Sequence, residues 1–119
     1  MANSKPVYDL EERTFQFAKR VRLFIKKLPK TIANIEDSKQ IVRASGSVGS
    51  NYIEANESLS KKDFLMRIKI CRKEPKESAY FLRLIYETNA TEFEKEGIEL
   101  YDETVQLKKI FSSIIEKSK

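Results

Sequence analysis

The fold is decided by residues 61–88, which read KKDFLMRIKICRKEPKESAYFLRLIYET. Apolar or small side chains recur in this stretch at alternating steps of four and three residues, the spacing that places them on one face of an α-helix. These positions are Phe64, Ile68, Cys71, Pro75, Ser78, Leu82 and Ile85. Because the spacing keeps its phase across Pro75, we predict one continuous, kinked helix, and two shorter helices are the alternative.

The same spacing occurs in three other parts of the chain and predicts three further helices. We place them at about 9–28, 39–57 and 91–117. Pro29 ends the first because it cannot continue the backbone hydrogen-bond ladder, and Ser38 is the predicted N-cap of the second. Their apolar stripes comprise Leu10, Thr14, Phe17, Val21, Phe24 and Leu28; Ile41, Ala44, Val48, Tyr52 and Ala55; and Leu100, Thr104, Leu107, Phe111 and Ile114.

Other features concern how the helices begin and how closely they pack. Ser60 and Thr91 each open a capping box, ahead of the third and fourth helices. Serine and glycine occupy every position from 45 to 50 except Val48, and they predict either a loop between two short helices or one helix that packs closely on a neighbour. We favour the single helix because its apolar stripe keeps its phase on both sides. The stripe of the first helix is widened by Phe15, Ala18 and Ile25.

Four helices joined by short links predict an all-α, antiparallel up-down-up-down four-helix bundle that occupies residues 1–119 as a single domain. Glycine and proline number only three each, which argues against a β-sandwich or a β-barrel. The apolar stripes are thin, and the small residues at 45–50 leave surface for a neighbour. We therefore expect a homo-oligomer.

The composition excludes several classes of site. The chain has no histidine and a single cysteine, Cys71, which rules out Ser–His and Cys–His triads, histidine-based metal sites and disulfides within the chain. We expect no catalytic residues, no metal, no cofactor, and a buried, inert thiol at Cys71. The N-terminus has no apolar signal core, and no stretch approaches the roughly 18 apolar residues of a spanning helix. We therefore expect a cytoplasmic protein without membrane contact.

Charge is distributed in blocks, although the net charge is only +5. Residues 5–30 and 61–83 each carry eight basic and three acidic groups, whereas residues 84–106 carry one basic and seven acidic groups. Such blocks are either basic surfaces for a polyanion or complementary charges between neighbouring helices or subunits. The candidate nucleic-acid contacts are Lys19, Arg20, Arg22, Lys26, Lys27, Lys62, Arg67, Lys69, Arg72, Lys73 and Lys76.

A line of polar side chains runs along the second helix at Arg43, Ser47, Asn51 and Glu54. Their spacing of four, four and three residues puts a cation, a hydroxyl, an amide and a carboxylate on one face. They predict either a functional site or a polar network at a helix–helix contact. We favour the network, because polar networks beside small residues fix the register of packed helices.

Residues 40–55, QIVRASGSVGSNYIEA, resemble the Q-x-x-R-(A/S)-x-x-S-(I/V)-x-x-N-(I/Y)-x-E-(G/A) signature of the four-helix-bundle proteins encoded in bacterial 23S rRNA intervening sequences. Supporting matches at 62–65, 70–78 and 107–114 extend the resemblance over about 10–117. The signature positions in this chain are Arg43, Ser47, Asn51 and Glu54 in the second helix and Arg72, Lys73 and Glu77 in the third. Pro75 departs from the family pattern, in which a helix-compatible residue is usual.

The resemblance implies a four-helix bundle that assembles as a ring-shaped homopentamer. It also implies a relation to the accessory variability-determinant proteins of diversity-generating retroelements, which bind a reverse transcriptase and nucleic acid. Members of the family have no established catalytic activity.

Together these features predict a non-enzymatic, homo-oligomeric bundle that contacts RNA or other nucleic acid through basic helix faces. The alternative is a protein–protein interaction or scaffold module, such as an accessory protein to a nucleic-acid enzyme. An enzyme would need a pocket that holds Arg43, Asn51 and Glu54 around an open volume. We expect no small-molecule substrate.

Overall fold

The computed structural model describes residues 9–119, which form four α-helices and one short 3-10 turn and contain no β-strand. The elements are α1 (Leu10–Ile25), α2 (Ile32–Asn56), α3 (Lys61–Thr88), the 3-10 turn (Thr91–Phe93) and α4 (Glu94–Lys117). The predicted all-α class with four helices is therefore confirmed over this range. The predicted domain includes residues 1–8, and the first basic block includes residues 5–8. All of these lie outside the described residues.

The helices pack in the order in which they occur along the chain. α3 lies between α2 and α4, α1 packs on α2, and a thinner contact joins α1 to α4. Side-chain bonds give the direction of the last contact: Arg13 near the start of α1 bonds to Glu103 inside α4, whereas Lys27 beyond the end of α1 bonds to Glu96 near the start of α4. α1 and α4 are therefore antiparallel, as in an up-down-up-down bundle.

The predicted apolar stripes form the core. Val48 of α2 and Ile68 of α3 have no exposed surface, and Tyr52, Phe64 and Ile114 lie half-buried at the edge. Full burial of one such large apolar side chain stabilises the fold by about 1.5–3 kcal/mol. The buried apolar residues are Leu10, Phe17, Val21, Phe24, Leu28, Ile41, Ala44, Val48, Ala55, Ile68, Cys71, Leu82, Ile85, Leu100, Leu107, Phe111 and Ile115.

The start of α2 differs from the prediction. The helix begins at Ile32, and its N-cap is Thr31, whose side chain accepts a hydrogen bond from the Asn34 backbone amide at 3.1 Å. Ser38, the predicted cap, therefore lies inside the helix, and residues 30–37 are mostly helical rather than a connection. Asn34 explains the difference: it is buried, and its side-chain amide donates to the Pro29 carbonyl at 2.9 Å. A polar residue thus occupies an inward position that an apolar pattern does not reveal.

Two other helices, α1 and α4, are shorter than predicted at one end. α1 ends at Ile25 and continues only as turns to Leu28, which remains buried. Thr91 starts the 3-10 turn rather than capping α4, and no side-chain bond caps the first turn of α4. By contrast Ser60 caps α3 as predicted, because its hydroxyl accepts a hydrogen bond from the Asp63 backbone amide at 3.0 Å.

The small residues of α2 and the proline of α3 both lie within uninterrupted helices. Positions 45–50 are helical throughout, and α3 runs through Pro75, which is buried on its inner face. The prediction of continuity is confirmed for α2 and α3. The predicted widening of the α1 stripe is wrong for Phe15, which is 59% exposed because it lies on the side of α1 away from the other helices.

Two glycines permit close contact between helices. A Cβ atom added at Gly49 would lie 2.8 Å from the Thr14 hydroxyl of α1, and one added at Gly97 would lie 2.6 Å from the Cβ atom of Tyr86 in α3. Atoms this close overlap, so the neighbouring helices approach only because these positions lack a side chain. The small residues at 45–50 therefore serve, at least at Gly49, a contact within the chain.

Replacing Gly97 by alanine should destabilise the protein by about 1–3 kcal/mol, because overpacking outweighs the gain in helix propensity of up to about 1 kcal/mol. Gly46→Ala is the matched control, since its added Cβ would meet only the end of the flexible Arg22 side chain, at 3.2 Å. We expect this control to keep or raise stability. Urea unfolding followed by circular dichroism measures both variants, and equal stabilities would contradict the close α3–α4 contact.

Candidate nucleic-acid interface

Three cations of the first basic block form ion pairs across the α1–α4 contact. The pairs are Arg13–Glu103 at 2.8 Å, Arg20–Glu99 at 3.6 Å and Lys27–Glu96 at 2.6 Å. The bond to Glu103 raises the pKa of the Arg13 guanidinium. Within one chain, the acidic block at 84–106 thus lies against the basic block of α1, an arrangement of complementary charges between neighbouring helices.

The other candidate cations of α1 have different surroundings. Arg22 is half-buried, and its guanidinium donates to the carbonyls of Ala18 at 3.0 Å and Val42 at 3.4 Å, so it joins α1 to α2. Lys19 and Lys26 are exposed and form no ion pair among the described residues. Only these two cations of α1 are therefore exposed and unpaired among the predicted contacts.

The second basic block presents a continuous row of lysines on α3. Lys62, Lys69, Lys73 and Lys76 are separated by seven, four and three residues, so they share the outward face of the helix, and all four are exposed. Within residues 9–119 none of them forms an ion pair. We call these four residues the α3 lysine row.

Two candidate arginines of α3 lie to the side of this row. Arg67 is half-buried, and its guanidinium donates to the side-chain oxygen of Asn51 at 2.9 Å. Arg72 is half-buried and forms no ion pair within the described residues. Of the α3 candidates, the lysines are thus the more accessible, whereas Arg67 is engaged in a contact between helices.

The polar line of α2 forms two separate sets of bonds to α3. Asn51 donates to the hydroxyl and the carbonyl of Ser47, both at 2.9 Å, and accepts the hydrogen bond of Arg67. Arg43 bonds to Glu77, and this bond raises the pKa of the Arg43 guanidinium. Glu54 is exposed, and no side-chain bond joins it to the others. The geometry is that of a polar network at a helix–helix contact rather than of residues around one pocket.

Arg43 also neutralises a buried carboxylate. Glu74 is only 5% exposed, and one of its oxygens lies 3.7 Å from the Arg43 guanidinium. The other Glu74 oxygen and the buried hydroxyl of Ser78 have no hydrogen-bond partner among the described residues. Because a buried charge requires a counter-charge, the Arg43–Glu74 contact matters more to folding than its length suggests.

Cys71 has the environment of a structural thiol. It is fully buried, donates to the Val48 carbonyl at 3.4 Å, and burial raises its pKa to about 12. The thiol is therefore protonated at neutral pH.

Within residues 9–119, no three His, Cys, Asp or Glu side chains are grouped as a metal site requires, and no helix has the length and apolar character to cross a bilayer.

Tyr80 is a residue of this surface that was not among the predicted contacts. It follows Lys76 by four residues on the outward face of α3, and it is 61% exposed. Its helical spacing from Lys69, Lys73 and Lys76 was a usable signal, because it places the aromatic ring on the same face as these lysines. The surface of α3 therefore combines lysines with an exposed aromatic ring.

A family model described as "23S rRNA-intervening sequence protein" matches residues 8–113. The chain belongs to this family. The match includes the signature of α2 and the whole of α3, so both the polar network and the α3 lysine row lie in the part of the chain that defines the family.

A solved structure supports the fold. The bundle is similar to the crystal structure of a protein with unknown function from the S23 ribosomal protein family of Bacteroides thetaiotaomicron, with a TM-score of 0.73 and 27% sequence identity. The similarity covers 88% of this chain and 96% of that chain. A comparison with curated proteins found no match.

Replacing Arg43 by alanine should destabilise the protein by about 1–3 kcal/mol, because Glu74 would remain buried without its counter-charge. Arg83→Ala is the matched control: it removes an arginine from an exposed pair with Glu87 within α3, and we expect no measurable change. Urea unfolding of each variant measures the difference.

Adding Glu74→Met to the Arg43→Ala variant should restore most of the lost stability, because the apolar side chain needs no counter-charge. If the double variant is no more stable than Arg43→Ala alone, the buried carboxylate is not the source of the loss.

Proposed function

We propose that this protein is a non-enzymatic, RNA-associated bundle that binds a phosphate backbone through the α3 lysine row. The proposal is carried by one contrast: three cations of the first basic block are paired with carboxylates of α4, whereas the α3 lysine row is exposed and unpaired among the described residues. Cations without a protein counter-charge bind a polyanion favourably because condensed counterions are released. A family associated with 23S rRNA intervening sequences is consistent with RNA as that polyanion.

The geometry of the row suits a backbone contact without base recognition. The distance along the helix from Lys62 to Lys76 is about 21 Å, at about 1.5 Å per residue. A stacked strand presents a phosphate about every 3.4 Å, so the row spans roughly six phosphates. Lysine is a compact charge on a flexible stem, and it contacts phosphate regardless of the base. We therefore infer binding that is strongly salt-dependent and weakly sequence-dependent.

Charge reversal at Lys69 and Lys73 tests the proposal. The Lys69→Glu/Lys73→Glu variant should bind a fluorescent RNA at least about 10-fold more weakly than wild type at low salt. Its plot of log affinity against log salt should be shallower by about 1.4, since each lost phosphate contact removes about 0.7 from the slope for a single strand. Fluorescence anisotropy over a salt series measures both quantities.

The matched control is Lys108→Glu/Lys109→Glu, which reverses two exposed lysines of α4 that form no ion pair among the described residues. It changes the net charge of the protein by the same amount, so a smaller effect assigns binding to α3 rather than to total charge. Equal losses in the two variants would contradict the proposed site. Wild-type binding that does not weaken with salt would contradict a phosphate contact altogether.

We also propose that the protein forms a homo-oligomer, for which the resemblance implies a ring-shaped homopentamer. An apolar groove of about 510 Å³ lies between the end of α1 and the first half of α2. Ile35, which lines it, is 42% exposed. Apolar surface at a groove marks a contact for another chain. The apolar residues that line the groove are Ile25, Leu28, Pro29, Ile35 and Val42.

Replacing Ile35 by aspartate should reduce the mass in solution toward the 13.9 kDa of one chain, because a carboxylate in an apolar contact is strongly disfavoured. Leu59→Asp is the control, since Leu59 is 98% exposed between α2 and α3, away from the groove, and we expect its mass to equal that of wild type. Light scattering measures the mass, and circular dichroism shows that each variant is folded. A wild-type mass of one chain would rule out the oligomer.

The proposed setting is the cytoplasm, where RNA is available.

The second candidate function is an interaction or scaffold module, which the apolar groove favours. In that case the reversal at Lys69 and Lys73 would change the oligomer mass and leave RNA affinity near background.

A further inference from the structure

We propose that Tyr80 stacks on an unpaired base and so makes the α3 lysine row bind single-stranded RNA in preference to duplex RNA, an inference that rests on the proposed function. Tyr80 follows Lys69, Lys73 and Lys76 at steps of four, three and four residues, so it extends the row along the same outward face. The distance along the helix from Lys69 to Tyr80 is about 16 Å, which spans roughly five phosphates of a stacked strand.

The Tyr80 ring lies between two shallow hollows in the surface. Their volumes are about 320 Å³ and about 290 Å³. The first is lined by Lys73, Lys76, Glu77 and Tyr80, and the second by Tyr80, Arg83, Leu84, Glu87 and Thr88. A flat ring bordered by open space and by cations is the arrangement that accepts a base on its face and a phosphate beside it.

The contact with Phe81 restrains the ring while leaving it accessible. The centroids of the Tyr80 and Phe81 rings are 5.2 Å apart, and the ring planes are nearly perpendicular, at 86°. An edge-to-face contact of this kind is favourable, and it does not stack the two rings face to face. The Tyr80 side chain therefore loses little further conformational entropy when a base binds to it.

The carboxylates near Tyr80 are each paired with an arginine. Glu77 bonds to Arg43 of α2, and Glu87 bonds to Arg83 at 2.7 Å within α3. Neither carboxylate therefore neutralises Lys73 or Lys76. Cations outnumber carboxylates in the lining of the two hollows, which favours the phosphate of a nucleotide.

The expected selectivity follows from the geometry of nucleic acids. In a duplex the faces of the bases are covered by their neighbours, so an exposed aromatic ring has no base to stack on. In a single strand a base can unstack from its neighbours and offer a face to the ring, and this stacking is tolerant of sequence because every base has such a face. The lysines contact phosphates in either form, so Tyr80 is the source of the preference.

The experiment compares a fluorescent single-stranded RNA of 12 nucleotides with the same strand in a duplex, by anisotropy over a salt series, for wild type, Tyr80→Leu and Tyr80→Phe. Wild type should bind the single strand more tightly. Tyr80→Leu should bind the single strand about 5- to 100-fold more weakly, the effect of losing one aromatic stack. Its duplex affinity and its salt slope should stay at the wild-type values, because no phosphate contact is lost. Tyr80→Phe should bind as wild type does.

Phe15→Leu is the matched control, because it removes an equally exposed aromatic ring from α1, away from the row. It should bind both RNAs as wild type does. If Tyr80→Leu binds the single strand as tightly as wild type, or weakens single-strand and duplex binding equally, the inference about Tyr80 is wrong while the lysine row stands. If wild type shows no salt-dependent binding to either RNA, the proposed function fails, and the inference fails with it.

Discussion

The structure depends on the phase of α3, because this one helix supplies both the centre of the bundle and the candidate interface. Its inner face packs between α2 and α4, and its outer face carries the α3 lysine row. A helix has 3.6 residues per turn, so positions 68, 71 and 82 can be buried only if 69, 73 and 76 face outward. Pro75 shows how strongly packing holds this phase. It removes one backbone hydrogen bond and is unfavourable in a helix by about 3 kcal/mol, yet the helix continues through it. The surrounding core therefore stabilises α3 more than local propensity weakens it.

The two basic blocks of the sequence carry equal numbers of basic and of acidic groups, but their environments in the fold differ. Cations in α1 and just beyond its end face carboxylates of α4, and the resulting pairs lie at a contact thinner than those that α3 makes with α2 and α4. There the carboxylates compensate for limited apolar packing, although each exposed pair contributes at most about 1 kcal/mol. Within residues 9–119 no helix covers the outward face of α3, so its lysines are exposed. Which block is available to a ligand is thus determined by topology, that is, by which helix has an acidic neighbour, and not by the number of charges.

This dependence on neighbours explains what could be predicted from the sequence. The existence of four helices and their buried faces follows from spacing alone, and so does the continuity of α3 through Pro75, since all of these are local and periodic. The prediction of Ser38 as the N-cap was wrong because the start of α2 depends on contacts that are neither local nor periodic. The first two turns of α2 bury Asn34, whose amide is satisfied by Pro29 and by Asn89, and both partners are brought there by the fold. The partners of Arg20 and Lys27 depend likewise on the contact that closes α1 against α4. Such long-range pairings leave no periodic signal in the chain.

The polar network and the lysine row are connected through Glu77. This carboxylate borders the same hollow as Lys73, Lys76 and Tyr80, and without a partner it would lower the positive potential of that surface. Arg43, from the signature of α2, bonds to Glu77 and also lies near the buried Glu74. One arginine therefore contacts two carboxylates of α3, one inside the bundle and one beside the row. In this arrangement a residue that stabilises the α2–α3 contact also keeps the outward lysines free of an internal counter-charge. Arg43 thus supports the proposed interface by holding carboxylates of α3 in place.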